Sequence, residues 1–106
     1  MIDPTKAIAY IAQQAEPFAK AKADRIFIEN NLRVVKSELV GLEEGTQGAK
    51  DAYAYSHPRY KEQLQALREA TEIEEKLLWM MKAAMAKIDV WKTLEYGKRA
   101  EMKSFG

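Results

Sequence analysis

Glu62, Glu69, Glu72, Glu74 and Glu75 crowd into one short run. Carboxylates this dense, with i, i+3 spacings that place pairs on one turn of a helix, could bridge a metal ion. Such a site would need further acids or histidines from a facing helix. Only Glu29 and Glu38 offer themselves, and no Glu-x-x-His occurs. A solvated acidic face is the default for this run, and no metal is expected. The single histidine, His57, stands before Pro58 at a helix start, where a cap or surface role fits better than catalysis. Ser37, Ser56 and Ser104 have no neighbouring base and no strand-to-helix elbow. No glycine-rich loop follows a strand, so phosphate and dinucleotide fingerprints are absent. No catalytic residue and no cofactor are expected, and the chain is read as not an enzyme.

A second chemistry is contact with nucleic acid. Lys87, Lys92, Lys98, Arg99 and Lys103, interleaved with Trp91, Tyr96 and Phe105, could supply phosphate contacts and stacking rings. A basic last stretch also complements the negative end of a helix dipole, which is reason enough for some of these charges. The whole chain carries only +1, with no strong field toward phosphates. Its distribution is uneven. From Glu62 to Glu75 five carboxylates face one guanidinium, a net −4, and from Lys76 onward seven cations face three acids, a net +4. Cysteine is absent, which suits a reducing compartment, and cytoplasm is the default location. No stretch reaches the roughly 20 uninterrupted apolar residues of a membrane span, and no membrane association is expected.

These residues ride on helices. Three prolines and five glycines interrupt a 106-residue sequence rich in Ala, Leu, Glu, Lys, Gln and Met, an all-α composition. Asp3 before Pro4 marks a start. Pro17 predicts a break or kink, giving helices over 4–16 and 18–43. Gly41, Gly45 and Gly48 signal a loop, followed by a short helix over 47–55. Pro58 opens a last helix over 58–103, roughly 70 Å at 1.5 Å per residue, far too long for a compact globule. The spacing therefore predicts a single domain over 1–106, an elongated, coiled-coil-like antiparallel helical hairpin.

Two seams at three-and-four spacing support the hairpin. One runs Ile11, Gln14, Phe18, Ala21, Arg25, Ile28, Leu32, Val35, Leu39 and Leu42, the other Tyr60, Leu64, Leu67, Thr71, Glu74, Leu78, Met81, Met85 and Ile88. Each holds one charge. One antiparallel register sets Arg25 against Glu74, Val35 against Leu64 and Phe18 against Met81. A buried Arg25–Glu74 pair would fix that register at some cost in stability. The alternative is that both charges snorkel at the seam's edge.

The run "EEKLLWMMKAAMAKIDVWK" carries a second apolar stripe. At 100° per residue, Trp79, Ala83, Ala86, Val90 and Leu94 lie roughly opposite the seam, with Met80 and Trp91 on the flank. A two-helix hairpin buries one side only, and small residues flanked by tryptophan and methionine suit a partner. These seven residues are expected to form an interface with further copies of the chain or with another protein. The segment before Pro17, folded back, is the alternative cover. Tyr53, Tyr55 and Tyr60 either form a recognition tip or pack the short helix onto the long ones.

Tyr55, Pro58, Tyr60, Leu64, Leu67, Arg68, Glu74, Glu75, Trp79, Trp91 and Lys92 form a pattern similar to one found in small helical proteins of tailed bacteriophages and prophages. It covers about half of the chain, and "AKADRIFIENNLRVVKSELV" is compatible with it. His57 departs from the acidic cap that pattern has. The resemblance implies a phage accessory role, beside DNA replication or recombination, in the host cytoplasm. The sequence thus predicts a self-associating, protein-binding helical module whose partner is unidentified, with direct DNA binding as the alternative.

Overall fold

The computed structural model describes residues 2–105, with side chains through Ser104. Three helices make up the fold: α1 (Pro4–Leu42), α2 (Gln47–Ser56) and α3 (Pro58–Phe105). Asp3 caps α1, its Oδ1 accepting the Thr5 N–H at 2.9 Å and the Lys6 N–H at 3.3 Å. Pro4 follows in the first turn, where its missing donor costs nothing. Gly45 turns the chain out of α1 at φ 118°, a left-handed conformation that a side chain would strain. Thr46 then caps α2 by accepting the Ala49 N–H at 3.2 Å. His57 ends α2 and starts α3: its N–H donates to the Ala54 carbonyl, and its Nδ1 accepts the Arg59 N–H at 3.1 Å. Its extended ψ of 136° is what a residue before proline adopts.

Pro17 does not divide the first helix, because α1 runs through it from Pro4 to Leu42. The ring forgoes one hydrogen bond and crowds the preceding turn. Both Gln13 and Pro17 are exposed, so water can take the carbonyl that is released. The contacts gather into two compact units. One is Ala19–Glu75, and the other is drawn from the stretches on either side of it.

In the Ala19–Glu75 unit, α1 and α3 run antiparallel. Arg25 meets Glu74, the Asn31 amide donates to Gln63 at 3.0 Å, and Arg59 pairs with Glu38. The core sits at the α2 end, where Val35, Leu39 (1% exposed) and Ala54 (fully buried) pack with Val40, Tyr53 and Tyr60. Burying a side chain such as Leu39 contributes about 1.5–3 kcal/mol. Tyr53 and Tyr60 hold α2 onto the long helices. Tyr55, set edge-on to Tyr60, receives the Lys36 ammonium 4.5 Å from its ring centroid.

Burial along α1 follows the expected seam from Ile11 to Leu39, whereas Leu42 is exposed. On α3 the phase differs. The residues turned inward are Tyr60, Gln63, Leu67, Ala70 and Glu74, continuing at the same spacing through Leu77, Met81, Ala84, Ile88 and Trp91. Gln63, Ala70 and Ala84 thus stand where Leu64, Thr71 and Met85 were expected. Leu64 is 48% exposed and Met85 46%. Val35 accordingly does not find Leu64, since the inward residue of that turn is Gln63, held by Asn31. The physical reason is helix spacing. Alanines admit close approach of two backbones, so the inward stripe follows small residues and not the most apolar ones. Ala21 and Ala70 share one stretch of the α1–α3 groove, and Ala7 and Ala84 share another.

Candidate interaction surface

In the unit formed by the start of α1 and the second half of α3, Ala7, Met81 and Ala84 are buried. Ile11, Phe18, Leu77, Leu78 and Ile88 are half-buried around them. This seam fixes the rotation of α3, because a helix that turns Met81 and Ala84 inward must turn the residues half a revolution away outward. Trp79 (62% exposed), Met80, Val90 (49%) and Leu94 are accordingly exposed, as are Ala83 and Ala86. Trp91 sits apart from this group: it is half-buried and falls on the seam's own spacing. The Lys82 ammonium lies 4.5 Å from the centroid of the Trp79 ring, over its electron-rich face.

Beside the stripe, the first turns of α1 and Met80, Ala83, Ala84 and Lys87 enclose a groove of about 570 Å³. Tyr10 lines it, and its buried hydroxyl has no hydrogen-bond partner among the described residues. Asp3 and Lys6 stand at the rim, so the groove has an apolar floor with charges of both signs.

The basic residues do not form one stripe. Lys87, Lys92, Lys98, Arg99 and Lys103 are all exposed. Lys92, Arg99 and Lys103 recur at seven- and four-residue spacing and share one face, while Lys87 and Lys98 lie on another. Arg99 stacks over Tyr96 at 5.9 Å, and Lys98 is 3.5 Å from Glu95. The side chain of Phe105 lies outside the described residues.

Three of the carboxylates that could have joined a metal site, Glu74, Glu29 and Glu38, are engaged by guanidinium groups. Arg25 donates to Glu74 and to Glu29, and Arg59 to Glu38. Glu69 accepts from the Gln65 amide at 3.2 Å. Glu74 is buried, and hydrogen bonding from Arg25 holds its carboxyl below the usual range, with the desolvation of burial opposing. Hydrogen bonds to Glu74 and Glu29 push the Arg25 guanidinium further up. Among the described residues no cluster of three or more acids or histidines is placed to hold a metal ion. No described helix is long and apolar enough to cross a membrane.

A second exposed apolar patch escaped the sequence reading. Phe27 and Ile73 line a groove of about 330 Å³ in the Ala19–Glu75 unit, and both are exposed. The available signal was Phe27 itself, a large aromatic standing off the seam spacing in "DRIFIEN".

No family model, curated protein or solved structure matches the chain.

Proposed function

We propose that this chain is a non-enzymatic helical interaction module that self-associates and docks on a protein partner, as a phage accessory protein working in the host cytoplasm. The observation that carries the reading is the exposed stripe Trp79, Ala83, Ala86, Val90 and Leu94 on α3, turned away from the seam. A tryptophan beside small residues on one helix face suits close approach by another helix. The phage setting rests on the resemblance of the residues from Tyr55 to Lys92 quoted above. Solution mass by light scattering over a range of concentration tests the reading. A defined oligomer is expected, dispersed by Trp79→Glu or Val90→Glu without loss of helicity. A monomer at every concentration, with no protein partner retained, would overturn it.

One observation favours a second reading, a DNA-binding accessory. Lys92, Arg99 and Lys103 are exposed on one face of α3 with Arg99 stacked on Tyr96. Binding through that face would weaken steeply with salt and vanish when Lys92, Arg99 and Lys103 are changed together to Ala, with self-association intact. Light scattering with short single-stranded and duplex DNA at two salt concentrations separates the readings.

A further inference from the structure

Resting on the self-association reading, we infer that the stripe is a two-fold, antiparallel interface in which α3 of one copy packs on α3 of a second copy of this chain. The exposed positions Trp79, Ala83, Ala86 and Val90 are spaced four, three and four residues apart. That spacing is the same read in either direction. In an antiparallel pair it sets Trp79 of each copy opposite Val90 of the other, and Ala83 opposite Ala86. Two large side chains, one Trp79 and one Val90, close each end and four alanines fill the middle, so the backbones approach closely at the centre.

The charges along the flank select this orientation. Lys82 and Asp89 lie seven apart on the same edge of the stripe, and both are exposed. In the antiparallel pair each Lys82 faces Asp89 of the second copy, which makes two attractive pairs related by the symmetry axis. A parallel pair would instead set Lys82 of each copy beside Lys87 of the other, two repulsive contacts. Flanking charges of this kind set partner choice and orientation in coiled coils. The interface is isologous and closes at two copies. Ala83 of the stripe and Met80 on its flank also line the groove that holds Tyr10, so the second copy would pack beside that groove.

Charge reversal tests the geometry. K82D alone and D89K alone each place like charges opposite one another twice, and each is expected to weaken self-association about tenfold. Mixing the two chains restores both attractive pairs, so a heterodimer is expected at concentrations where neither chain pairs with itself. Its appearance also shows that both variants are folded. As a second readout, a mixture of A83C and A86C chains, in a protein with no native cysteine, is expected to form the mixed disulfide in preference to either homodisulfide. A wild-type chain that stays monomeric would overturn the self-association reading and this inference with it. A wild-type oligomer indifferent to both reversals, with no preference for the mixed pair, would overturn the antiparallel geometry alone.

Discussion

The Arg25 guanidinium grips the buried Glu74 carboxylate with two donors, Nε to Oε2 at 2.5 Å and Nη2 to Oε1 at 3.2 Å. A third donor, Nη1, reaches Glu29 at 2.8 Å on the same helix. The fork thus ties α1 to α3 and α1 to itself through one planar group. Removing Arg25 leaves the buried Glu74 carboxylate without its counterion, and removing Glu74 leaves the guanidinium with Glu29 alone. Arg25→Met and Glu74→Leu are each expected to lower the melting temperature, while the two together are expected to cost less than the sum of the singles. Thermal unfolding of the four chains at one concentration checks this, and strict additivity would show that the pair does not act as a unit.

The same contact sets an acid limit on stability. Glu74 is held below the usual carboxylate range in the folded chain, whereas the unfolded chain protonates it near pH 4.3. Between the two values the unfolded state binds a proton that the folded state lacks, so stability falls as pH drops through this window. The contribution is fully present above the unfolded value and gone below the folded one. Denaturant midpoints measured from pH 6 to pH 3 are expected to fall more steeply for the wild type than for Glu74→Gln.

The phase of the α3 seam makes a sharp contrast between neighbours. Ala84 is buried at a close approach of the helices, and Met85 beside it is exposed. Ala84→Leu is expected to destabilise by about 1–3 kcal/mol through overpacking. Met85→Ala should stay within about 0.5 kcal/mol, as surface changes do. Urea unfolding of the two variants separates them, and equal losses would put Met85 back in the seam.

His57 serves both helices at the α2–α3 corner through its backbone N–H and its Nδ1. His57→Ala removes the side-chain acceptor and is expected to cost about 1 kcal/mol, while His57→Asp keeps an acceptor and adds a charge favourable to the start of α3. The order Asp at least as stable as His, and His above Ala, is the expected outcome of thermal melts. An alanine variant as stable as the wild type would show the cap to be idle.

The helix boundaries were legible in the sequence because Asp3, Gly45 and Pro58 act through local backbone chemistry that neighbours do not override. The Arg25–Glu74 contact was legible for a related reason: one charge on each seam leaves a single register that pairs them. Pro17 misled, since its cost depends on whether water reaches the turn before it, a tertiary fact. The α3 phase misled because apolarity alone ranks leucine and methionine above alanine, and the closeness of two helices exists only in the assembled pair. Trp91 was assigned to the flank of the second stripe on wheel geometry, but the seam keeps its spacing long enough to take the residue in. Phe27 and Ile73 went unnoticed because they come from different helices and become neighbours only in the fold.

The two compact units differ in how the chain supplies them, one from the unbroken stretch Ala19–Glu75 and the other from the two stretches beyond its ends. Contact order then favours a sequence in time. The first can begin at the α2 corner, where Val35, Leu39, Ala54 and Tyr60 meet after short loop closures, and can zip toward Arg25 and Glu74. The second must bring together segments distant along the chain, a search that is slow until Ala21 and Ile73 already line one groove. The stripe that carries Trp79 therefore belongs to the late-forming half. On that order, Trp79 and Val90 would take their native surroundings only after the Ala19–Glu75 unit has formed.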